Sequence, residues 1–107
     1  MKELRTKQEV LGLLKKQLPY LEEQYGVQRI AIYGLFVKGN QTLKSDVDIL
    51  VELMKPLGLE FVELAYDLEK ILKKKVDLAT FATLKRSLEN PRYKHIASNI
   101  ERNLSYV

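Results

Sequence analysis

Three aspartates carry the chemistry open to this sequence. Asp46 and Asp48 stand two residues apart in KSDVDILVEL, where Val47, Ile49, Val51 and Leu53 alternate as a strand does. Residues i and i+2 of a strand point to one face, so the two carboxylates project together. Asp77 sits in VDLAT, Val76 to Thr80, a second short apolar run that predicts another strand. If the two strands are neighbours, Asp77 joins the pair. Three converging carboxylates with no cation repel one another and raise their own pKa values. Magnesium removes that penalty, because it is hard, takes oxygen ligands and is held by one or two carboxylates plus substrate phosphates. Two such ions about 3.5–4 Å apart can clamp the attacking and leaving oxygens of a phosphoryl displacement.

A bare Asp-x-Asp is more often a solvated pair or a helix cap. Its surroundings here argue for more. RIAIY, Arg29 to Tyr33, predicts a strand that runs straight into Gly34, and a polar loop leads from there to the aspartates. A glycine between a strand and a short helix lets backbone N–H groups approach a phosphate closely.

The other elements must position these groups. Thr6 to Tyr25 predicts a helix, with Thr6 and Glu9 at capping-box spacing and Val10, Leu11, Leu13, Leu14, Leu18 and Leu21 in an apolar stripe near helical period. Pro19 is expected to kink or split it, and Gly26 to end it. After a turn at Pro56 and Gly58, Leu59 to Leu72 predicts an amphipathic helix with Phe61, Val62, Leu64, Ala65, Leu68, Ile71 and Leu72 inward. Lys73 to Lys75 suit the negative end of its dipole. Phe81 to Val107 predicts helices broken at Asn90–Pro91. The order helix, strand, strand, helix, strand, helices implies a small α/β (α+β) domain.

With 107 residues, 46% hydrophobic and 30% charged, the chain suffices for one domain over residues 1–107. No apolar run approaches the roughly 20 residues of a membrane span, and the charged N-terminus lacks the apolar core of a signal peptide. There is no cysteine, which excludes disulfides and thiolate metal sites and fits a cytoplasmic protein. The net charge of +4 mildly favours phosphate-bearing ligands or an acidic partner.

The pattern Gly34, Leu35, ten residues Phe36 to Ser45, then Asp46-Val47-Asp48 resembles the signature of nucleotidyltransferases related to DNA polymerase beta. IAIYGLFVKGNQTLKSDVDILVEL looks most like the minimal nucleotidyltransferases, small proteins encoded beside a HEPN-domain partner. KKVDLAT and the terminal SYV add to the likeness. The resemblance implies a small polymerase-beta-like fold with a short mixed sheet packed with helices. It implies ATP bound with two magnesium ions and transfer of AMP to a hydroxyl, a tyrosine in the HEPN toxin that such an antitoxin silences. On that resemblance Asp46, Asp48 and Asp77 match the metal-binding catalytic carboxylates, and Asp77 is placed to help deprotonate the acceptor. Gly34, Leu35, Lys38 and Ser45 match the nucleotide-binding positions.

Two positions depart from the family pattern. Leu35 stands where serine is usual and offers no hydroxyl to the triphosphate. Lys38 stands where arginine is frequent and lacks its bidentate fork. A binding-only antitoxin with a weakened site is therefore the alternative reading. A transferase acting on nucleic acid is disfavoured, since no separate domain is left to hold that substrate. Other residues read as ordinary: Lys73 to Lys75 as a solvated helix end, Tyr33 as strand packing, and His95 as a polar helical residue. Arg86, Arg92, Lys94 and Arg102 make a basic C-terminal segment that is solvated or docks a partner.

Overall fold

The computed structural model describes residues 7–33 and 47–107. The sequence expectations for Thr6, Gly34, Leu35, Lys38, Ser45 and Asp46 lie outside the described residues.

Helix α1 (Lys7–Tyr25) runs without a break through Pro19, so the expected split does not occur. Proline removes the bond to the carbonyl four residues earlier and its ring crowds that carbonyl, but here both Lys15 and Pro19 lie on the exposed side, where the carbonyl can tilt outward and bond water. Gly26 ends the helix as expected, with φ +73°. Its N–H bonds the Glu22 carbonyl at 2.9 Å, while its own carbonyl accepts from Met54 at 2.8 Å. A side chain in that left-handed conformation would be strained.

Strand β1 (Val27–Tyr33) pairs antiparallel with β2 (Val47–Leu53). Helix α2 (Glu60–Leu72) then crosses over, and β3 (Val76–Thr80) lies parallel to β2. At Thr80 the chain passes directly from strand to α3 (Phe81–Glu89), because the Thr80 hydroxyl accepts the Thr83 N–H at 3.1 Å and caps the new helix. The Asn90–Pro91 break is where the sequence places it. The Asn90 carboxamide oxygen accepts from Arg92 N–H at 2.9 Å, turning the chain into α4 (Lys94–Arg102).

Sequence reading missed the last element, β4 (Ser105–Tyr106), which adds antiparallel to β1 and gives the order β3-β2-β1-β4. It is held by tertiary contacts rather than by propensity. Val107 N–H bonds the Ile30 carbonyl at 2.9 Å. The Arg29 guanidinium lies 4.4 Å from the Phe81 ring centroid and 5.1 Å from that of Tyr106, and also meets Glu52 at 3.6 Å.

The sheet is covered on both faces. Val10, Leu14 and Leu21 from α1 and Leu64, Leu68 and Leu72 from α2 pack on Ile30, Ile32, Val47, Ile49 and Val51. These side chains are at most 1% exposed and form the larger core. Leu84 from α3 and Ala97 from α4 cover Leu50 on the opposite face, with Tyr33, Ala79 and Phe81 around them. Val62 differs from expectation: it is 49% exposed, because α2 turns Val62 and Tyr66 outward together, below the exposed Leu59 at its N-cap. Across the α1–α2 groove, the hydroxyls of Tyr20 and Tyr25 both donate to Asp67 Oδ2, at 2.8 and 2.5 Å. Those bonds hold the Asp67 carboxyl below its usual range.

Candidate active site

Strand alternation decides where Asp48 goes. Val47 and Ile49 are fully buried beneath α1 and α2, so Asp48 between them must face the other side of the sheet. The start of β2 is fastened by Val47 N–H to the Lys75 carbonyl at 2.9 Å. The start of β3 is fastened by Val76 N–H to the Glu69 carboxylate at 3.1 Å. Between these anchors the parallel register sets Asp48 directly beside Asp77, and the antiparallel register sets Tyr33 directly beside Asp48. Direct partners share a face. One rung of the sheet thus reads Tyr33, Asp48, Asp77 across three strands.

The structure therefore brings together two of the three sequence-predicted carboxylates. Asp48 is half-buried and Asp77 exposed. No group of three acidic, histidine or cysteine side chains able to hold a metal occurs among the described residues. The donor set that is present suits magnesium: two hard carboxylates, adjacent in register, with one open to solvent.

Tyr33 is the residue that sequence reading underrated. It packs in the smaller core as expected, yet it also senses the aspartates. Its phenol is pushed up to about 12, first by burial, then by the negative charges of Asp48 and Asp77. At neutral pH it is a neutral hydroxyl beside the carboxylate row. Its place before Gly34 was a signal, but its pairing with Asp48 is a matter of register, which the sequence does not spell out.

One rung further along the same face, Leu50 lies beside Ala79, about 7 Å on at two residues of strand rise. A cavity of about 200 Å³ opens there between the sheet, α3 and α4. Of the residues discounted earlier, His95 is exposed on α4. Arg102 bonds Asn99 Oδ1 at 3.0 Å within its own helix, and Arg86 reaches Thr83 Oγ1 at 3.5 Å, so both have local roles.

A mixed sheet with acids on its second and third strands, followed by capping helices, matches the architecture expected from the sequence resemblance. Comparison with known proteins agrees. The Nucleotidyltransferase domain family matches residues 14–107. A Methanocaldococcus jannaschii protein bearing the name protein adenylyltransferase, MJ1379, is 39% identical over 97% of this chain and all of its own length. The protein adenylyltransferase MntA of Thermococcus cleftensis is 35% identical, covering 95% of this chain and 96% of that one. Among solved structures, a minimal nucleotidyltransferase superposes with a TM-score of 0.64 at 24% identity, covering 91% of this chain and 92% of the other. A mutant of the toxin–antitoxin pair MntA–HpeT gives 0.58 at 21% identity, over 95% of this chain and 71% of the other. The two structural likenesses speak to fold. The chain belongs to the nucleotidyltransferase family, in its minimal, MntA-like branch, and so to the transferases.

Proposed function

We propose that this protein is a magnesium-dependent protein adenylyltransferase that acts as an antitoxin, moving AMP from ATP onto a hydroxyl of a HEPN-domain toxin. The observation that carries the reading is the adjacency of Asp48 and Asp77 on one sheet face, in a chain whose full-length relatives are named protein adenylyltransferases. Two carboxylates side by side are a liability in a sheet, and a cation that bridges them to a triphosphate gives them a use.

In this reading Asp46, Asp48 and Asp77 would hold two magnesium ions, which would supply charge neutralisation to the triphosphate, and Gly34, Leu35, Lys38 and Ser45 are the candidate phosphate contacts. The acceptor hydroxyl attacks the α-phosphorus, the bond to the β-phosphate oxygen breaks, and pyrophosphate leaves. The hydroxyl proton passes to Asp77, the more exposed of the two described acids and the one an incoming acceptor reaches. Tyr33 stays protonated near neutral pH, so it serves as a hydrogen-bond donor rather than a base.

A second reading follows from Leu35: a binding-only antitoxin whose site no longer turns over. Incubating the toxin with this protein, ATP and magnesium, followed by intact-mass measurement, separates the two. Transfer adds one or more AMP units to the toxin. An unmodified toxin in a stable complex would falsify the enzymatic reading and leave the binding-only one. The fold leaves no helix among the described residues that is long and apolar enough to cross a membrane, and nucleic acid has no place in either reading.

A further inference from the structure

Helix α2 presents a face that the chemistry derived so far does not use. Val62 and Tyr66 point outward one turn apart, 49% and 62% exposed. Leu59 has helical φ and ψ at the N-cap, so it continues their line, and it is 85% exposed. The other side of the helix is taken up by the larger core, through Leu64, Leu68 and Leu72. Leu59 makes no side-chain bond to the helix start. A serine, threonine, asparagine or aspartate would cap that end better, so leucine here both weakens the cap and exposes apolar surface. Apolar side chains aligned in this way and rimmed by charge mark a surface that another molecule covers.

We propose that this face joins two copies of the chain, with α2 packing antiparallel on α2 across a twofold axis near Tyr66. The charges on the helix select that partner. Glu60 and Glu63 lie in the first turn of α2 and Lys70 in the last, all three exposed. The helix dipole accounts for acids at one end and a base at the other, but not for the apolar side chains between them. An antiparallel pair uses both features. With the axis between Tyr66 and Asp67, Glu63 of each copy comes opposite Lys70 of the other, and the two Tyr66 rings meet at the centre. The surface is complementary to itself, as a closed twofold dimer requires. A toxin is the rival occupant, and the fold argues against it. Helices α1 and α2 cover the sheet face opposite the one that carries Asp48 and Asp77, whereas on the proposed function the toxin's hydroxyl must reach those acids. A dimer through α2 leaves both carboxylate rungs on its outer sides, where each can meet its own toxin.

The test is the mass of the 107-residue chain alone by sedimentation equilibrium, with neither nucleotide nor toxin, so its outcome does not depend on any transfer activity. One helix packed on another makes a small interface, and small interfaces associate weakly, so the series runs to about 1 mM. The native protein is expected to pass from one chain toward two as concentration rises. Tyr66→Asp, at an exposed position, should stay at one chain with an unchanged circular dichroism spectrum. Glu63→Lys and Lys70→Glu should each weaken self-association by about 2- to 30-fold, the scale of two exposed ion pairs. Mixed in equal amounts, these two variants should recover native strength, because the antiparallel contact then sets opposite charges together at both ends. A native protein that remains one chain at about 1 mM overturns the proposal. So does a dimer that survives Tyr66→Asp, since another surface then makes it. Loss of the dimer in Tyr66→Asp with no recovery on mixing overturns the antiparallel pairing. A native single chain whose complex with the toxin is lost in Tyr66→Asp assigns the stripe to the toxin instead.

Discussion

Replacing Asp48 by asparagine is expected to lower the pKa of the Tyr33 phenol, and Asp77→Asn to lower it less. The phenol stands at about 12 rather than 10.0, with burial as the largest cause, Asp48 next and Asp77 last. Burial persists in both variants, so neither returns the phenol to its ordinary value, and solvent screening of the two partly exposed carboxylates keeps both effects modest. The assay is an alkaline titration of the Tyr33 ring carbon resonance, assigned by its loss in Tyr33→Phe, with far-ultraviolet circular dichroism marking the folded range. The sign for stability follows. An unfolded tyrosine releases its proton near 10 while the folded one holds it to about 12. Stability therefore falls as pH rises across that window, and Tyr33→Phe should flatten the fall. A Tyr33 pKa unmoved in both asparagine variants would mean that the carboxylates do not converge on this end of the sheet.

Two further outcomes are expected. On the proposed function, Leu35→Ser supplies the hydroxyl that the family pattern has at this position. A hydrogen bond to a charged group contributes about 1.5–3 kcal/mol, so transfer to the toxin should rise roughly 10- to 150-fold if the bond acts in the transition state, while Asp48→Asn abolishes transfer in either background. An unchanged robust rate in Leu35→Ser would show that leucine serves as well. Deleting Ser105–Val107 removes β4, the Val107–Ile30 bond and the Tyr106 contact with Arg29. It should lower unfolding free energy by about 1–3 kcal/mol in urea titrations, and an unmoved midpoint would make β4 ornamental.

The fold was legible wherever local pattern decides it. Period-two runs marked β2 and β3, helical stripes marked α1 and α2, and Asn90–Pro91 marked the α3–α4 break. Register was not legible. That Asp48 lies beside Asp77 depends on α2 delivering β3 parallel to β2, and the separate antiparallel register of β1 on β2 puts Tyr33 in the acidic rung. Nor was β4, since two residues carry no periodicity and their strand exists through Arg29, Phe81 and the Ile30 carbonyl. Val62 misled because apolar type predicts burial only when the helix stripe includes it. The cavity near Ala97 arises from the packing of α4 over α3, which no local pattern encodes.

The paired carboxylates supply a test that separates a working metal site from a relic without measuring any reaction. Asp48 and Asp77 are direct partners on adjacent strands. Like charges so placed are destabilising on the scale of cross-strand pairs, about 0.2–1 kcal/mol, and the exposure of Asp77 favours the lower end through screening. Asp77→Asn should therefore make the metal-free protein slightly more stable, by a few tenths of a kcal/mol. Magnesium should reverse the order. A ligand that binds only the folded state stabilises it by about 1.4 kcal/mol at ten times its dissociation constant, and the variant has lost one of the donors that hold the ion. Urea unfolding of both proteins, with and without magnesium, reads this directly. The native protein should gain stability from magnesium and overtake Asp77→Asn. If magnesium leaves the native protein unchanged, these acids do not gather the cation unaided, and the metal reading at this rung is lost whatever the partner assay shows.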